Sequence, residues 1–218
     1  SFMKKIGYNI LYTNSQFLFE KTNLDFKLVK HTIVPDRIEA LTYIVMGLLL
    51  GDVTVKKLRP NTMTFPLELL KQAGFALEVK ENEVHAKKSF GKPMQIKTDC
   101  YPGFPTDLQS LFGVLFVNTL GKSEIEETIF ENRMQIYFDL KASGIDCVVT
   151  DNKATVVGSN KVQSRDYTAS DLRHGVAILI LAMLGDEKSK ISNFEYVLRG
   201  YDDIINRVKA LGAKITIL

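Results

Sequence analysis

The sequence predicts a mixed α/β fold of the α+β type, built from three repeated units whose long helices are buried inside the domain. At three places in the 218 residues, a polar helix cap is followed fifteen positions later by a glycine. The helix between cap and glycine is apolar on nearly all sides each time, and a second helix with its own closing glycine follows. Caps, lengths and glycines that recur together indicate internal repeats.

The first element of each unit is the long capped helix. The predicted caps are Asp36, Thr106 and Ser170, and the glycines that follow them are Gly51, Gly121 and Gly185. Asp36 with Glu39, and Thr106 with Gln109, also fit the capping box, in which two side chains bind the free amides of the first turn. Because a helix without a polar face is buried, we expect the three long helices to form the centre of a pseudo-threefold domain.

A β-like run, a second helix and a strand pair complete each unit. Gly74, Gly144 and Gly212 follow the second helices, at C-cap positions that need a positive φ, and alternating apolar residues come after them. The predicted boundaries are 1–30 for the tail of a preceding repeat, 31–218 for the main domain, and about 31–100, 101–164 and 165–218 for its repeats.

The N-terminal segment matches the end of a unit whose helices are absent. Gly7 stands 67 residues before Gly74, a spacing close to the repeat length. We infer that the chain is a piece of a longer or permuted polypeptide, and that it stops within the first strand after Gly212. A natural short chain that carries a stray hairpin at 1–30 is the alternative that the sequence leaves open.

Composition and charge disfavour several classes of protein. The 28 cationic and 25 anionic side chains leave a net charge of +3, and no run of Lys and Arg exceeds two, so we expect no nucleic-acid partner. The longest apolar run, Val176 to Leu184, is too short to span a bilayer. Cys100 and Cys147 and the three histidines show no ligand spacing, so we predict no metal site and no cofactor. A cytoplasmic protein is the expectation.

The starts of the three long helices are the candidate functional site. Arg37, Asp107 and Asp171 occupy equivalent positions after the caps, and helix N-termini that converge on one place attract anions. The arginines that could complete an anion site are Arg37, Arg133, Arg173 and Arg199. Asp107 and Asp171 could instead be ordinary carboxylates that favour the helix dipole, and this reading stays open. The acidic run from Glu124 to Glu127 is interpreted as a solvated connection.

Several motifs resemble those of the UDP-N-acetylglucosamine 1-carboxyvinyltransferase family of enolpyruvyl transferases. The matching segments, in family order, are Pro35-Asp36-Arg37-Ile38-Glu39, Phe104-Pro105-Thr106-Asp107-Leu108-Gln109, Phe130-Glu131-Asn132-Arg133, Ser170-Asp171-Leu172-Arg173, Arg199-Gly200-Tyr201 and Lys209-Ala210-Leu211-Gly212-Ala213. The similarity extends from about Gly7 to Ile215. The motif set favours this family over the related 5-enolpyruvylshikimate-3-phosphate synthases, which share the repeat.

The resemblance implies a fold and a reaction. The family fold is two inside-out α/β barrels of three repeats each, and this chain resembles the C-terminal barrel, so the N-terminal barrel of the same protein is the implied missing partner. The implied reaction transfers an enolpyruvyl group from phosphoenolpyruvate to the 3′-hydroxyl of UDP-N-acetylglucosamine and releases phosphate, which commits the sugar to peptidoglycan synthesis and hence to cell-wall growth, cell shape and division. A chain without the first barrel is expected to turn over little.

The resemblance also implies roles for individual residues. Asp107 is the implied base near the sugar hydroxyl, and Ile129 is an implied contact of the nucleotide-sugar. The residues implied at the phosphoenolpyruvate side are Arg133, Arg173 and Arg199, with Asp171 assisting proton movement or ordering the arginines and Arg37 adding to substrate binding.

Two departures from the family pattern lie just before the Arg-Gly-Tyr motif. Tyr196 and Leu198 stand where the family usually has a histidine and an aspartate. They keep two alternatives open: a non-catalytic half-barrel that binds a nucleotide-sugar or a protein partner, and an enolpyruvyl transferase with another acceptor, such as shikimate 3-phosphate.

Overall fold

The computed structural model describes residues 2–13, 16–21, 29–159 and 161–217. The chain divides into two compact units, Ser1–Val34 and Pro35–Leu218.

The first unit contains a short helix and a hairpin. Helix α1 covers Phe2–Lys5, and strands β1 (Tyr8–Thr13) and β2 (Gln16–Lys21) pair antiparallel from Tyr8 opposite Lys21 to Thr13 opposite Gln16. Gly7 joins the helix to the hairpin with a φ of 97°. Cross-strand packing of Tyr12 on Phe17, with ring centroids 4.6 Å apart, stabilises the hairpin.

The second unit contains the remaining helices and strands. Its α-helices are α2 (Arg37–Leu50), α3 (Thr64–Gln72), α4 (Gln109–Leu115), α5 (Gln135–Ala142), α6 (Leu172–Leu184), α7 (Glu195–Leu198) and α8 (Ile204–Ala210). Its strands are β3 (Asp52–Lys56), β4 (Leu77–Val79), β5 (Glu83–Lys87), β6 (Gln95–Lys97), β7 (Lys122–Glu126), β8 (Cys147–Thr150), β9 (Lys153–Val157), β10 (Tyr167–Thr168) and β11 (Ile191–Ser192). Short 3₁₀ helices cover Pro60–Thr62, Thr106–Leu108 and Phe116–Asn118.

Three buried helices, α2, α4 and α6, contact one another and form the centre of the second unit. Every residue of α4 is buried, as are most residues of α2 and α6, which confirms the expectation drawn from their apolar sequences. Fully burying a Leu, Ile, Val or Phe side chain contributes roughly 1.5–3 kcal/mol. These helices are therefore held by tertiary burial, which overrides the weak helix propensity of their β-branched residues.

Small sheets surround this centre. Strands β3, β5 and β4 form an antiparallel sheet in that order, and β6, β7, β9 and β8 form a mixed one in which β6 and β7 are parallel. Strands β10 and β11 form a parallel pair. Among the described residues the sheets do not close into a barrel, so the barrel is not confirmed at this level and the three-repeat architecture remains a hypothesis.

The helix caps agree with the sequence at one of three places. Asp36 caps α2, accepting hydrogen bonds from the amides of Ile38 and Glu39. The prediction of Ser170 was wrong by one residue, because Asp171 caps α6. Thr106 does not cap either: its hydroxyl binds a buried glutamate, and a 3₁₀ turn that follows the extended Pro105 opens this helix instead.

The closing glycines adopt the predicted backbone. Gly74, Gly144 and Gly212 have φ values of 83°, 82° and 103°, which a side chain would strain. The strand expected after Gly212 was wrong, because residues 213–217 are not assigned to a strand and pair with no described strand. None of the helices among the described residues is long and apolar enough to cross a bilayer.

Candidate active site

Asp107 lies at the start of the buried helix pair formed by the 3₁₀ turn Thr106–Leu108 and α4. Leu108 is fully buried and anchors the turn, while the Asp107 side chain keeps 35% of its surface exposed. A carboxylate at such a place is fixed by the core on one side and reaches solvent on the other. It can therefore meet both protein cations and a substrate.

Arg133 approaches Asp107 from the loop before α5. Its Nη1 lies 2.8 Å from Thr106 Oγ1 and 3.2 Å from Asp107 Oδ1, and its guanidinium covers the ring of Phe130 at 4.2 Å. The left-handed backbone of Asn132, with a φ of 59°, directs the loop toward the site. Two hydrogen bonds and a stacked ring restrict the guanidinium to one orientation.

Arg173 approaches Asp107 from the first turn of α6. Its Nε donates a hydrogen bond to Asp107 Oδ1. The amide of Arg173 is bound in turn by Asp171 Oδ1 at 2.8 Å, so the cap of α6 also sets the direction of this side chain. The structure thus brings together three predicted site residues, Asp107, Arg133 and Arg173.

The charges around Asp107 set its acidity. Partial burial favours the neutral acid, but the hydrogen bonds and positive charges of Arg173 and Arg133 outweigh it and hold the pKa of Asp107 below its usual value of 3.8. The carboxylate is therefore ionised at neutral pH. While both arginines remain on it, it is a weak base.

Asp171 serves as a helix cap. Its Oδ1 accepts the amides of Arg173 at 2.8 Å and His174 at 3.0 Å, which is the structural role that the sequence left open. A small pocket of about 10 Å³ lies beside it, with Arg133 and Arg173 also in its wall. A direct role of Asp171 in proton movement remains a prediction.

Glu127 is the site residue that sequence reasoning missed. The acidic run was interpreted as solvated, which was wrong for this residue: Glu127 is only 2% exposed and both of its carboxylate oxygens are hydrogen-bonded. Its Oε1 accepts the amides of Ile129 and Phe130. The local density of acidic residues predicts that Glu127 is exposed to solvent. Its hydrogen-bond partners, however, include threonines 21 and 29 positions away in the sequence, which a local pattern does not contain.

Ile129 and Phe130 lie on the loop between β7 and Arg133. The two residues are 36% and 54% exposed, while their amides are bound inward to Glu127. The loop therefore presents two apolar surfaces to solvent from a fixed backbone. That arrangement suits contact with a substrate, and the role of Ile129 remains a prediction.

Arg37 and Arg199 do not join the Asp107 cluster. Arg37 binds the carbonyl of Thr62 at 3.4 Å, lies 5.7 Å from the Tyr101 ring and lines a cleft of about 380 Å³. Arg199 follows α7 as an exposed side chain that makes no hydrogen bond or ion pair to any residue in the described ranges. The predicted convergence of all three helix starts is thus seen for two of them, at Asp107 and Arg173.

His174 is a second group that the sequence did not place. It is 3% exposed and its Nε2 lies 2.8 Å from Asp139 Oδ2 on α5. The amide of Ser170 donates a hydrogen bond to His174 Nδ1 at 3.2 Å, so Nδ1 acts as the acceptor. The ring proton is therefore on Nε2, which donates a hydrogen bond to Asp139. This pair ties α5 to the start of α6, next to Arg173.

The chain is similar to known proteins along nearly its whole length. The profile of EPSP synthase (3-phosphoshikimate 1-carboxyvinyltransferase) matches residues 1–208. A protein of Pelagibacter ubique named UDP-N-acetylglucosamine 1-carboxyvinyltransferase is 33% identical over 99% of this chain and 52% of its own length. A protein of the same name from Thermotoga maritima is 38% identical over 86% of this chain and 45% of its own length.

Solved structures agree in fold. The enolpyruvyl transferase NikO from Streptomyces tendae superposes with a TM-score of 0.87 at 24% identity, over 98% of this chain and 52% of its own. EPSP synthase from Acinetobacter baumannii gives a TM-score of 0.80 at 18% identity, over 99% of this chain and 54% of its own. The chain thus spans about half the length of the proteins it matches. It belongs to the EPSP synthase family of enolpyruvyl transferases.

Proposed function

We propose that this chain supplies the base-bearing half of an enolpyruvyl transferase that moves the enolpyruvyl group of phosphoenolpyruvate to the 3′-hydroxyl of UDP-N-acetylglucosamine and releases phosphate. The observation that carries the proposal is the Asp107 carboxylate, half-exposed and held between Arg133 and Arg173. The names of the curated relatives support a 1-carboxyvinyl transfer to UDP-N-acetylglucosamine. The donor, a place in peptidoglycan synthesis and a cytoplasmic location are proposed from the motif resemblance.

Asp107 acts as the base in this proposal. The acceptor hydroxyl gives its proton to the carboxylate as its oxygen bonds to C2 of phosphoenolpyruvate, and the electron pair of the C2–C3 double bond takes up a proton at C3. Loss of phosphate from C2, with loss of a proton from C3, then restores the double bond of the enolpyruvyl group. Site closure around the substrates excludes water and favours the proton transfer. Cys100 is exposed and Cys147 is buried, and neither is proposed as the acid that protonates C3. We propose that this acid comes from the half of the relatives' length that this chain does not cover.

The two arginines link anion binding to the strength of that base. A phosphate or carboxylate accepts bidentate hydrogen bonds from a guanidinium. An anionic substrate that draws Arg133 or Arg173 toward itself removes a positive charge from Asp107, so the pKa of Asp107 rises. The carboxylate therefore becomes a stronger base only when the anion is bound.

The remaining predicted residues are proposed to act around this centre. Arg199 is exposed and unpartnered within the described part of the chain, so its guanidinium is available to a phosphate. Arg37 lines the nearby cleft, and Ile129 offers its side chain to the nucleotide-sugar. Asp171 orders Arg173 through the cap of α6.

Full activity is proposed to need the half of the relatives' length that this chain does not cover. The chain would be the C-terminal barrel, made of three repeats, with the first 30 residues forming a crossover from the other barrel. The match of half of each solved enzyme by nearly all of this chain supports that division.

Phosphate release tests the proposal. The chain is assayed with phosphoenolpyruvate and UDP-N-acetylglucosamine, first alone and then mixed with a separately produced N-terminal half. The expected result is no phosphate release from the chain alone and measurable phosphate release after the two halves are mixed. If the halves associate and no phosphate appears, the chain is a binding half-barrel without chemistry.

A second acceptor belongs in the same assay. The matching family profile is described by the shikimate enzyme, so shikimate 3-phosphate is the competing acceptor. At a fixed phosphoenolpyruvate concentration, faster phosphate release with shikimate 3-phosphate than with the nucleotide-sugar would reassign the acceptor and leave the transfer chemistry in place.

A further inference from the structure

Glu127 is a buried carboxylate that is joined to the Asp107 cluster through Thr106 and Arg133. It follows β7, is 2% exposed and is bound by four protein donors. Burying a charge is costly unless hydrogen bonds compensate for lost water. A residue so fully bound holds other groups in place.

One oxygen of Glu127 fixes the loop that follows β7. Its Oε1 accepts the Thr98 hydroxyl at 2.9 Å and the amides of Ile129 and Phe130 at 2.8 and 3.1 Å. The backbone of Glu127 is fixed as well, since its amide and carbonyl both bind Asn152 at 2.8 Å. The side chains of Ile129 and Phe130 are therefore presented from an immobilised turn.

The other oxygen of Glu127 orients Thr106. Glu127 Oε2 accepts the single hydroxyl proton of Thr106 at 2.7 Å, so the Thr106 oxygen can only accept from its other neighbour. That neighbour is Arg133 Nη1 at 2.8 Å, which also reaches Asp107 Oδ1 at 3.2 Å. The donors form one directed chain from Arg133 through Thr106 to Glu127.

We propose that Glu127 is a positioning residue that couples the substrate-facing loop at Ile129 and Phe130 to the Arg133–Asp107 pair through its two carboxylate oxygens. The inference rests on the proposed function in taking Asp107 as the base; the coupling itself rests on the hydrogen bonds alone. The network has two arms: the bonds of Oε1 to the amides of Ile129 and Phe130, and the bond of Oε2 to Thr106. This explains why a carboxylate stands here, because a glutamine would turn an NH₂ group toward one arm or the other and break the hydrogen bonds of that arm.

The experiment separates the two arms in the chain as it exists. Glu127→Gln tests both arms, and Thr106→Val removes the hydroxyl without changing charge. Thr106→Ser keeps the hydroxyl, and Glu126→Gln, at the neighbouring residue that ends β7, removes a half-buried carboxylate whose ion pairs within the described ranges are with Lys97 and Lys153. NMR measures the titration of the Asp107 carboxyl and the exchange rates of the Ile129 and Phe130 amides.

Coupling predicts a distinct result for each variant. Thr106→Val should raise the titration midpoint of Asp107 toward 3.8, because Arg133 loses its anchor, whereas Thr106→Ser should leave the midpoint unchanged. Glu127→Gln should disrupt one side of the network: either amide exchange at Ile129 and Phe130 speeds up roughly tenfold or more, the loss expected for bonds to a charged acceptor, or the titration midpoint of Asp107 rises as it does in Thr106→Val. Glu126→Gln should do neither. A lowered unfolding midpoint with unchanged titration and exchange would overturn the proposal.

Activity of the reconstituted pair then separates this proposal from the proposed function. Glu127→Gln should lower kcat by roughly 10²-fold while KM changes less, since misplacing a catalytic group costs about that much. If titration and exchange move but kcat does not, the coupling stands and Asp107 is not the base.

Discussion

Arg173 donates its Nε–H to Asp107 Oδ1, and this bond joins two helix starts that lie 66 residues apart in the sequence. Arg133 shares the same oxygen at 3.2 Å. One carboxylate thus pairs with two guanidinium groups, which leaves these three side chains with one net positive charge, in a site where the side chain of Arg133 is only 18% exposed. The excess positive charge is available to an anion, so Asp107 both assembles the site and competes with its ligand.

Asp107→Asn tests the base directly. In the reconstituted enzyme, phosphate release should fall by 10²-fold or more, because general base catalysis contributes about 10²–10⁴-fold, while nucleotide-sugar binding changes little. Stopped-flow phosphate detection and calorimetric titration of UDP-N-acetylglucosamine measure the two effects. Asp146→Asn, an exposed carboxylate away from the cluster, is the control. Equal losses of rate and binding would assign Asp107 to binding alone.

Arg173→Gln tests the electrostatics of the pair. The pKa of Asp107 is held below 3.8 in the folded chain, so the pair stabilises the fold above that value and the contribution is lost as pH falls through the lowered pKa. At pH 7 the variant should lose about 0.2–1 kcal/mol of unfolding free energy, the range for a partly exposed pair. Urea unfolding at pH 7 and at pH 2 to 3 measures this, and the difference should shrink at the lower pH. A difference that is constant with pH would mean that Arg173 stabilises the fold only by packing.

The sequence predicted the centre of the fold better than its connections. Periodic caps and apolar runs located α2, α4 and α6, because burial of a whole helix is visible in a local window of residues. Glu127 and Thr106 were misread for the opposite reason. Their side chains are hydrogen-bonded to each other although they lie 21 positions apart in the sequence, so no local pattern contains this pair.

The sequence predicted which residues belong to the candidate site, but it predicted only some of the contacts between them. Asp107, Arg133 and Arg173 meet as the helix starts suggested, whereas Arg37 bonds Thr62 instead. The departures Tyr196 and Leu198 fall on the four-residue helix α7, half-buried and exposed respectively. A helix that short is positioned by its neighbours, so its side chains could not be oriented from sequence.

His174→Ala tests whether the buried histidine holds α5 against α6. The variant leaves Asp139 without its partner in a site where that carboxylate is 14% exposed, and it opens a cavity. Unfolding free energy should fall by about 2–4 kcal/mol. His85→Ala removes a similar pair with Asp52, at 2.6 Å but on the surface, and should cost less than about 1 kcal/mol. Urea denaturation of both variants measures the difference; equal losses would show that burial does not set the strength of the His174 pair.

Gly47→Ala tests the close approach of the β3–β5–β4 sheet to α2. A Cβ at Gly47 would lie 2.8 Å from the carbonyl oxygen of Ala86 on β5, and backbone cannot move aside as a flexible side chain can. The helix gains about 0.8–1 kcal/mol from alanine, but overpacking of this kind costs typically about 1–3 kcal/mol. The net effect should be a loss of stability, seen as a lower thermal midpoint. Gly51→Ala is the control, since its Cβ meets nothing within 4 Å and its φ of −173° suits any residue. If Gly47→Ala proves as stable as Gly51→Ala, the sheet can shift away from the helix, and the two are packed less tightly than the Gly47–Ala86 approach indicates.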